Sequence, residues 1–213
     1  MPRVRTLDDL RHWWDRHAAG YDRSMTWAER KLFDGTRPWI AGRARGRTLE
    51  VAIGTGLNLE HYPRDIELSG LELSPRMLDL ARRRAAALGL AADLRLGDAQ
   101  HMDFADAAFD TVVCTFSLCT VPDDARAVEE MVRVLRPGGL LLLADHVESS
   151  SPWLRALQRV VEIGSVPFAG EHYRRRPIRR VEAAGLRIEE HDRFKRGLIE
   201  RLAARKPQRP SRA

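Results

Sequence analysis

Gly54 and Gly56 stand two residues apart at the end of a short apolar run, and acidic residues recur downstream: Glu72, sixteen residues after Gly56, and then Asp98. Glycines at this spacing let the backbone take positive φ and approach a ligand closely. A turn that cradles a dinucleotide pyrophosphate wants a third glycine three residues after Gly56. Leu59 stands there, which argues against a nicotinamide or flavin enzyme. An acidic residue at the distance of Glu72 can hold both hydroxyls of a ribose, and Asp98 can meet an adenine edge. Together these residues describe an adenosine-type ligand without a pyrophosphate. Each also has a plain structural alternative. Glu50 can pair with an Arg, the glycines can form an ordinary strand-to-helix turn, and Asp98 can cap a helix. Their recurrence at successive strand ends carries the functional reading.

The elements that must position them alternate strand and helix from residue 47 onward, the signature of an open parallel α/β sheet. Strands are expected at 47–54, 67–73, 93–96, 110–116 and 140–144, and a helix is expected to start near Gly56. Ser74-Pro75 caps the next helix, with Met77, Leu78 and Ala81 on its apolar face. Asp123 or Asp124 caps a helix running to Leu135, stopped by Arg136-Pro137-Gly138-Gly139. Helices are expected at 152–163 and 179–184. The last strands, 186–194 and 198–204, are split by Lys195-Arg196-Gly197 and read as a hairpin that gives the sheet an antiparallel edge. In such a sheet ligands bind beyond the carboxyl ends of the strands. Those ends carry Glu50 to Gly56, Glu72, Asp98, Thr115 to Cys119, and Asp145-His146.

Residues 1–45 read as a helical cap or lid. Thr6 and Asp9 form a capping box, followed at helical spacing by Leu7, Leu10, Trp13, Trp14 and His17, with a second short helix at 26–33 and a further turn from Pro38. Residues 46–206 form the α/β domain. The tail, 207–213, reads as disordered, with no apolar anchor from Lys206 on.

The chain has 213 residues, 44% hydrophobic and 31% charged, the balance of a single globular domain with small extensions. Its longest strongly apolar run, 139–144, is far too short to span a bilayer. The N-terminal MPRVRTLDDLRHWWDRH lacks the apolar core of a secretory signal. Cys114 and Cys119 have no second pair for zinc, and read as reduced buried thiols of a cytoplasmic protein. No metal is expected. The net charge of +6 is spread along the chain as Arg, which reads as solvated faces rather than a nucleic-acid patch.

The stretch LEVAIGTGLNLEHYP … LSGLELSPRMLDLARRRA … LGDAQHMDFADAAFDTVVCTFSLCTVPD … MVRVLRPGGLLLLADHV, roughly half the chain, resembles a class I S-adenosylmethionine-dependent methyltransferase of the type-11 group. The resemblance implies a Rossmann-like, seven-stranded, mostly parallel sheet with an antiparallel last strand and helices on both faces. It also implies S-adenosylmethionine as cofactor. Glu50, Gly54 and Gly56 would flank its methionine part, and Glu72 its ribose, with Leu73 beside the adenine. Asp98 would accept from the adenine amino group, with Ala99 adjacent. Thr115 and Phe116 would line the wall below the methionine. Ala52 departs from the family's usual glycine. Tyr21, in the phrase AAGYDR, would cover the cofactor.

Methyl transfer is an in-line displacement that needs positioning and water exclusion, and a general base only if the acceptor must lose a proton. His146, after the fifth strand, and His172, in the loop after the 152–163 helix, are with Tyr21 the candidate catalytic residues; Tyr173 lies beside His172. His146 can equally be a hydrogen-bonded structural residue. SLCTVPD, HVESSSPWLRALQ and AGEHYRRR resemble a subgroup of phosphatidylethanolamine N-methyltransferases and alkyl-thiol methyltransferases, with Glu171 where the subgroup has Cys. The acceptor implied is a small hydrophobic or amphiphilic molecule: a lipid amine, a thiol or a quinone. Trp13, Trp14, Trp27 and Trp153 either present a peripheral membrane contact or pack the lid on the sheet. A non-catalytic cofactor-binding module and a methyltransferase for a polar metabolite are the alternatives. The sequence does not fix the oligomeric state.

Overall fold

The computed structural model describes residues 6–33 and 35–208. Seven strands, β1 (Arg47–Val51), β2 (Glu67–Glu72), β3 (Ala92–Leu96), β4 (Phe109–Thr115), β5 (Leu135–His146), β6 (Arg187–Phe194) and β7 (Ile199–Arg205), form one sheet in the order β3-β2-β1-β4-β5-β7-β6. Strands β1 to β5 pair in parallel, and β7 pairs antiparallel with both β5 and β6. The hairpin of the last two strands thus forms the antiparallel edge that the sequence reading expected, with the reversed β7 as its inner strand. The edge is β6, whose residues are mostly exposed, whereas β7 is mostly buried and must lie inside.

Alternating residues of the central strands are buried on both faces, as parallel sheets require. On one face Val112, Cys114, Leu141 and Leu143 pack with α4 (Asp124–Val134) and α6 (Pro177–Ala183). On the other, Val113, Leu142 and Ala144 pack with α2 (Thr36–Ala41) and α3 (Pro75–Ala87). The expected caps form. Ser74 Oγ accepts from Met77 N at 3.1 Å, and Asp123 Oδ1 accepts from Arg126 N at 3.0 Å.

Four expectations are corrected. The two N-terminal helices are one, α1 (Leu7–Lys31). Thr6 and Asp9 do form the box that starts it, with Asp9 N donating to Thr6 Oγ1 at 3.1 Å, and it continues through Gly20, whose Cα faces open space. No helix follows Gly56. Only a 3-10 turn forms at Leu59–His61, because Asn58 is buried in side-chain bonds and Pro63 closes the turn. The helix from Pro152, α5 (Pro152–Ala169), runs past Ile163 and through Pro167 to Gly170, which caps it at φ 69°. Strand β5 begins at Leu135, directly after α4, where Leu135 pairs with Phe109. At the far end Lys206 Nζ donates to the carbonyls of Val132 and Leu135, both at 2.6 Å, so ordered chain reaches beyond β7. Residues 209–213 of the expected disordered tail lie outside the described residues.

Candidate active site

The carboxyl ends of β1, β2 and β4 open onto a cleft lined by residues of all three strand ends, Glu50, Glu72 and Thr115 among them. Glu72 ends β2 at its wall and is buried. Its Oε2 accepts from Gly54 N and its Oε1 from Ser74 N, both at 2.8 Å. Burial raises the Glu72 pKa, and the N–H groups of Ser74, Gly54 and Leu73 oppose that rise. Gly54 takes φ 61° and has open space where a Cβ would stand, so the backbone itself forms the cleft floor. Ala52 adopts φ 54°, the left-handed region that its glycine alternative would take without strain. Gly56 serves another purpose. A Cβ there would stand 2.6 Å from Leu59 Cδ1, and Leu59, at the place of a dinucleotide turn's third glycine, is buried against it. Gly56 thus packs the turn and is not among the residues that line the cleft.

Below the floor lies a buried polar network. Glu50 Oε1 accepts from Asn58 Nδ2 at 2.7 Å, and its Oε2 accepts from Tyr62 Oη at 3.0 Å. Asn58 Nδ2 also donates to Thr115 Oγ1 at 2.9 Å, and Arg37 Nη1 donates to Asn58 Oδ1 at 3.0 Å. Desolvation pushes Glu50 up to about 7, against the pull of Tyr62, Arg37 and Asn58. Glu50, Thr115 and Arg37 reach the cleft wall. Arg37, Asn58 and Tyr62 escaped the sequence reading. The signal available was two polar residues, Asn58 and Tyr62, in the stretch after the glycine turn.

Leu73, Asp98 and Ala99 line the same cleft. Asp98 Oδ1 accepts from Gln100 N and Gln100 Nε2, both at 2.9 Å, which holds the carboxylate at the rim. Phe116 lines the opposite wall at φ 53° and stacks on Phe33 at 3.9 Å between centroids. The helix α1 lies over the opening, with Trp14 and Tyr21 lining it. Two aspartates hook α1 down. Asp15 Oδ1 accepts from Ser74 Oγ at 2.5 Å and from Arg76 N at 3.1 Å. Asp22 accepts from Thr55 Oγ1 at 2.6 Å and pairs with Arg84 at 2.5 Å. Of the tryptophans read as a membrane contact or as lid packing, Trp14 lines the cleft and Trp13 stacks on His17 at 3.9 Å. Trp27 and Trp153 are exposed.

Three catalytic candidates separate. Tyr21 is at the cleft. His146 stands one ring behind it, 5.1 Å from Phe116, 5.5 Å from Phe33 and 5.9 Å from Tyr173, centroid to centroid. His172 is tied through its backbone N–H to the Cys119 carbonyl at 2.8 Å, and burial, with Arg175 nearby, lowers the pKa of its imidazole. Tyr173 donates to Glu171, the residue in the place of the subgroup's Cys, and burial with Glu171 raises its pKa. Cys119, Asp145 and His146 offer three metal-type ligand atoms within 4.8 Å of one another. The Asp145 carboxylate is already engaged by backbone donors. Asp145 accepts from Cys119 N at 3.0 Å and from His146 N at 2.7 Å, and burial pushes the Cys119 thiol well up.

Residues 49–143 match the family described as a methyltransferase domain. These residues form a methyltransferase domain. Over 118 residues the chain is 39% identical to the phosphatidylethanolamine N-methyltransferase of Cereibacter sphaeroides, covering 54% of this chain and 58% of that one. It is 38% identical over 117 residues to a demethylmenaquinone methyltransferase of Deinococcus radiodurans, covering 54% and 48%. It is 30% identical over 156 residues to a human thiol S-methyltransferase, covering 67% and 60%. The chain therefore spans about half to three fifths of these relatives' lengths. Among solved structures, a SAM-dependent methyltransferase of Aquifex aeolicus superposes with TM-score 0.66 at 16% identity, covering 88% of this chain and 97% of that one. The [4+2]-cyclase SpnF superposes with TM-score 0.66 at 20% identity, covering 82% and 80%. These likenesses place the methyltransferase domain on the Rossmann-like methyltransferase fold.

Proposed function

We propose that this chain transfers a methyl group from S-adenosylmethionine to a small hydrophobic or amphiphilic acceptor: a lipid amine, a thiol or a quinone. The observation that carries the reading is the Glu72 carboxylate, buried at the end of β2 and facing the cleft beside the backbone of Gly54. Such a group accepts from a vicinal diol, and Asp98 at the next strand end accepts from an amine. The donor set fits the cofactor: acceptors where ribose and adenine have donors, a glycine floor with no Cβ, and aromatic rings along the remaining wall. When bound, S-adenosylmethionine supplies a methyl group on a sulfonium centre.

This chain's residues then do the positioning. Glu72, Leu73, Asp98 and Ala99 hold the adenosine end. Gly54, Ala52 and Glu50 border the methionine end, with Thr115 and Phe116 forming its wall. Trp14 and Tyr21, on α1, exclude water over the opening, which strengthens every electrostatic contact inside. His146, enclosed by Phe33, Phe116 and Tyr173, is the base within reach of an acceptor that must lose a proton, with a shift of the Phe116 ring to admit it. Residues 6–45 act as the lid and 46–206 as the catalytic domain, in a cytoplasmic protein that acts on a small molecule and not on nucleic acid. Relatives named for a lipid amine, a quinone and a thiol acceptor support the acceptor class.

The test uses purified protein, methyl-labelled S-adenosylmethionine and total lipid extract, followed by solvent partition. Enzyme-dependent label in the organic phase is expected. Label confined to the aqueous phase overturns the amphiphilic acceptor in favour of a polar metabolite. The same fold carries a protein named a cyclase, so cofactor binding without transfer to any fraction identifies a non-catalytic binding module instead.

A further inference from the structure

Helix α5 is built inside out. At about 3.6 residues per turn, Trp153, Leu157, Val160, Val161, Gly164 and Phe168 share one face. That face is the exposed one: Trp153 is 57% exposed, Leu157 50%, Val160 63% and Phe168 39%. Ile163, at its border, is 76% exposed. The face turned to the protein is the polar one. Gln158 is buried, donating to the carbonyls of Val147 at 2.9 Å and Tyr173 at 3.0 Å and accepting from Ser149 N at 2.9 Å. Glu162, beside it, binds Arg174 N at 3.0 Å and the Arg174 guanidinium at 2.5 Å. A helix folded only for its own domain would put its apolar stripe against the sheet. Here directed hydrogen bonds hold the helix in place and the stripe is left outward, a contiguous apolar patch of the kind that marks an interaction surface.

The charges around the stripe select the partner. The exposed Arg159 lies along one flank of α5, beyond Ile163, whereas Arg155 is turned toward the protein and donates to the Ser149 and Ser150 carbonyls at 3.3 Å, and the only acid on the helix, Glu162, is turned inward and paired. At the N-terminal end the exposed Lys195 and Arg196 form the tip of the β6–β7 hairpin. The Arg196 carbonyl accepts from Ser149 Oγ at 2.7 Å and Ser150 N at 3.0 Å, and its guanidinium lies 5.7 Å from the Trp153 ring. An apolar face with a tryptophan at one end and a cationic flank matches hydrocarbon bordered by anionic headgroups. A symmetric self-association through the same face would bring two identical cationic flanks together.

The geometry points to α5 as a docking helix that lays this chain on an anionic lipid surface, with Trp153, Leu157, Val160 and Val161 in the acyl boundary and Arg159, Lys195 and Arg196 at the headgroups. The loop after α5 ties this face to the cleft. The His172 backbone N–H is bonded to Cys119, and Arg175 donates to the carbonyls of Leu118 at 2.7 Å, Pro122 at 3.0 Å and Val121. Val121 and Pro122 line the cleft. Docking thus brings the cleft wall to the surface from which an amphiphilic acceptor would enter. The proposal rests on the acceptor reading for its purpose, and its test does not require turnover.

Flotation of the full chain with phosphatidylcholine vesicles, with and without phosphatidylglycerol, reads the docking directly. We expect binding that requires phosphatidylglycerol and weakens with salt. Leu157→Glu with Val160→Glu, at exposed positions, should reduce it about tenfold or more, with S-adenosylmethionine affinity and circular dichroism unchanged. Arg159→Glu should weaken the preference for phosphatidylglycerol. A blue shift of tryptophan emission on adding vesicles should disappear in Trp153→Phe. Absence of flotation, or flotation unaffected by the double variant, overturns the docking. So does a stable dimer in solution that Val160→Glu dissociates, which would assign the face to a second copy. Because cofactor affinity is titrated separately, failure to dock and failure to bind cofactor remain distinct results.

Discussion

Glu72 joins the loops at two strand ends by accepting from the backbone of Gly54 and Ser74. Replacing it with Ala removes a charged acceptor from the cleft. S-adenosylmethionine affinity measured by calorimetry should fall by about 1–3 kcal/mol, and unchanged affinity would move the ribose elsewhere. Ala52 makes the opposite case. Its φ of 54° costs about 1 kcal/mol that glycine does not incur, so Ala52→Gly should raise the free energy of unfolding in urea by up to that amount. A loss of stability would show that the Ala methyl contributes more by packing than it costs in strain. Glu50, Glu72 and Asp98 were legible because each stands in or just beyond a short expected strand that turn residues close, Gly54 and Gly56 after the first and Ser74-Pro75 after the second. Arg37, Asn58 and Tyr62 were not. Their partners stand 21 positions from Arg37 to Asn58 and 57 from Asn58 to Thr115, and only the folded sheet brings them together.

At the scale of elements, the lid is the part that sequence divided wrongly. The expectation was a first helix from the Thr6–Asp9 box and a second at 26–33. The single α1 persists because tertiary bonds hold it on both sides of Gly20, Asp15 to the start of α3 and Asp22 to Thr55 and Arg84. These two hooks tie α1 by side-chain hydrogen bonds to the loops that follow β1 and β2. With both removed, in Asp15→Ala with Asp22→Ala, amide exchange along α1 should quicken by roughly tenfold. Exchange in β4 and β5 should stay as it is, and cofactor release should quicken alongside the lid. If exchange in α1 is unmoved, apolar contacts such as buried Leu10 and Ala18 hold the helix and the aspartates do not. The glycine turn shows the same limit. The spacing of Gly54 and Gly56 told of the turn, but the replacement of a helix by a 3-10 turn depended on where Asn58 found its partners.

For the molecule as a whole, strand number, strand positions and the pattern of parallel pairing were legible because fully buried runs such as 140–144 and the turn signals between them are local. The slot taken by β7 was not, since a hairpin's two strands carry no local mark of which one pairs with β5. Burial of Glu50 also has a global reading. Its carboxyl ionises near 7 in the folded chain against about 4.5 when exposed, so between those values the folded state holds the extra proton. The stability this contributes is complete below about 4.5 and is lost as pH rises through 7, a decline on the order of 3 kcal/mol. Arg133 acts in the other direction by holding Glu130 down to about 2, which gives stability at neutral pH that disappears in strong acid. Urea unfolding across this range should show the decline toward pH 8 in the wild type and a flatter profile in Glu50→Gln. An equal decline in both would place its origin elsewhere.

The slot filled by β7 sets an order of events in the cell. During synthesis β5 emerges from the ribosome with one edge paired to β4 and the other bare, and its natural neighbour, Ile199–Arg205, follows every other strand out of the tunnel. Until then β6 has no place to bind, and the apolar edge Leu141 to Ala144 stands open to any other strand in reach. A ribosome that stalls between residues 147 and 198 would leave a nascent chain with most of its sheet made and its most adhesive edge uncovered. Covering that edge is therefore a race between the synthesis of residues 147–205 and a chance encounter.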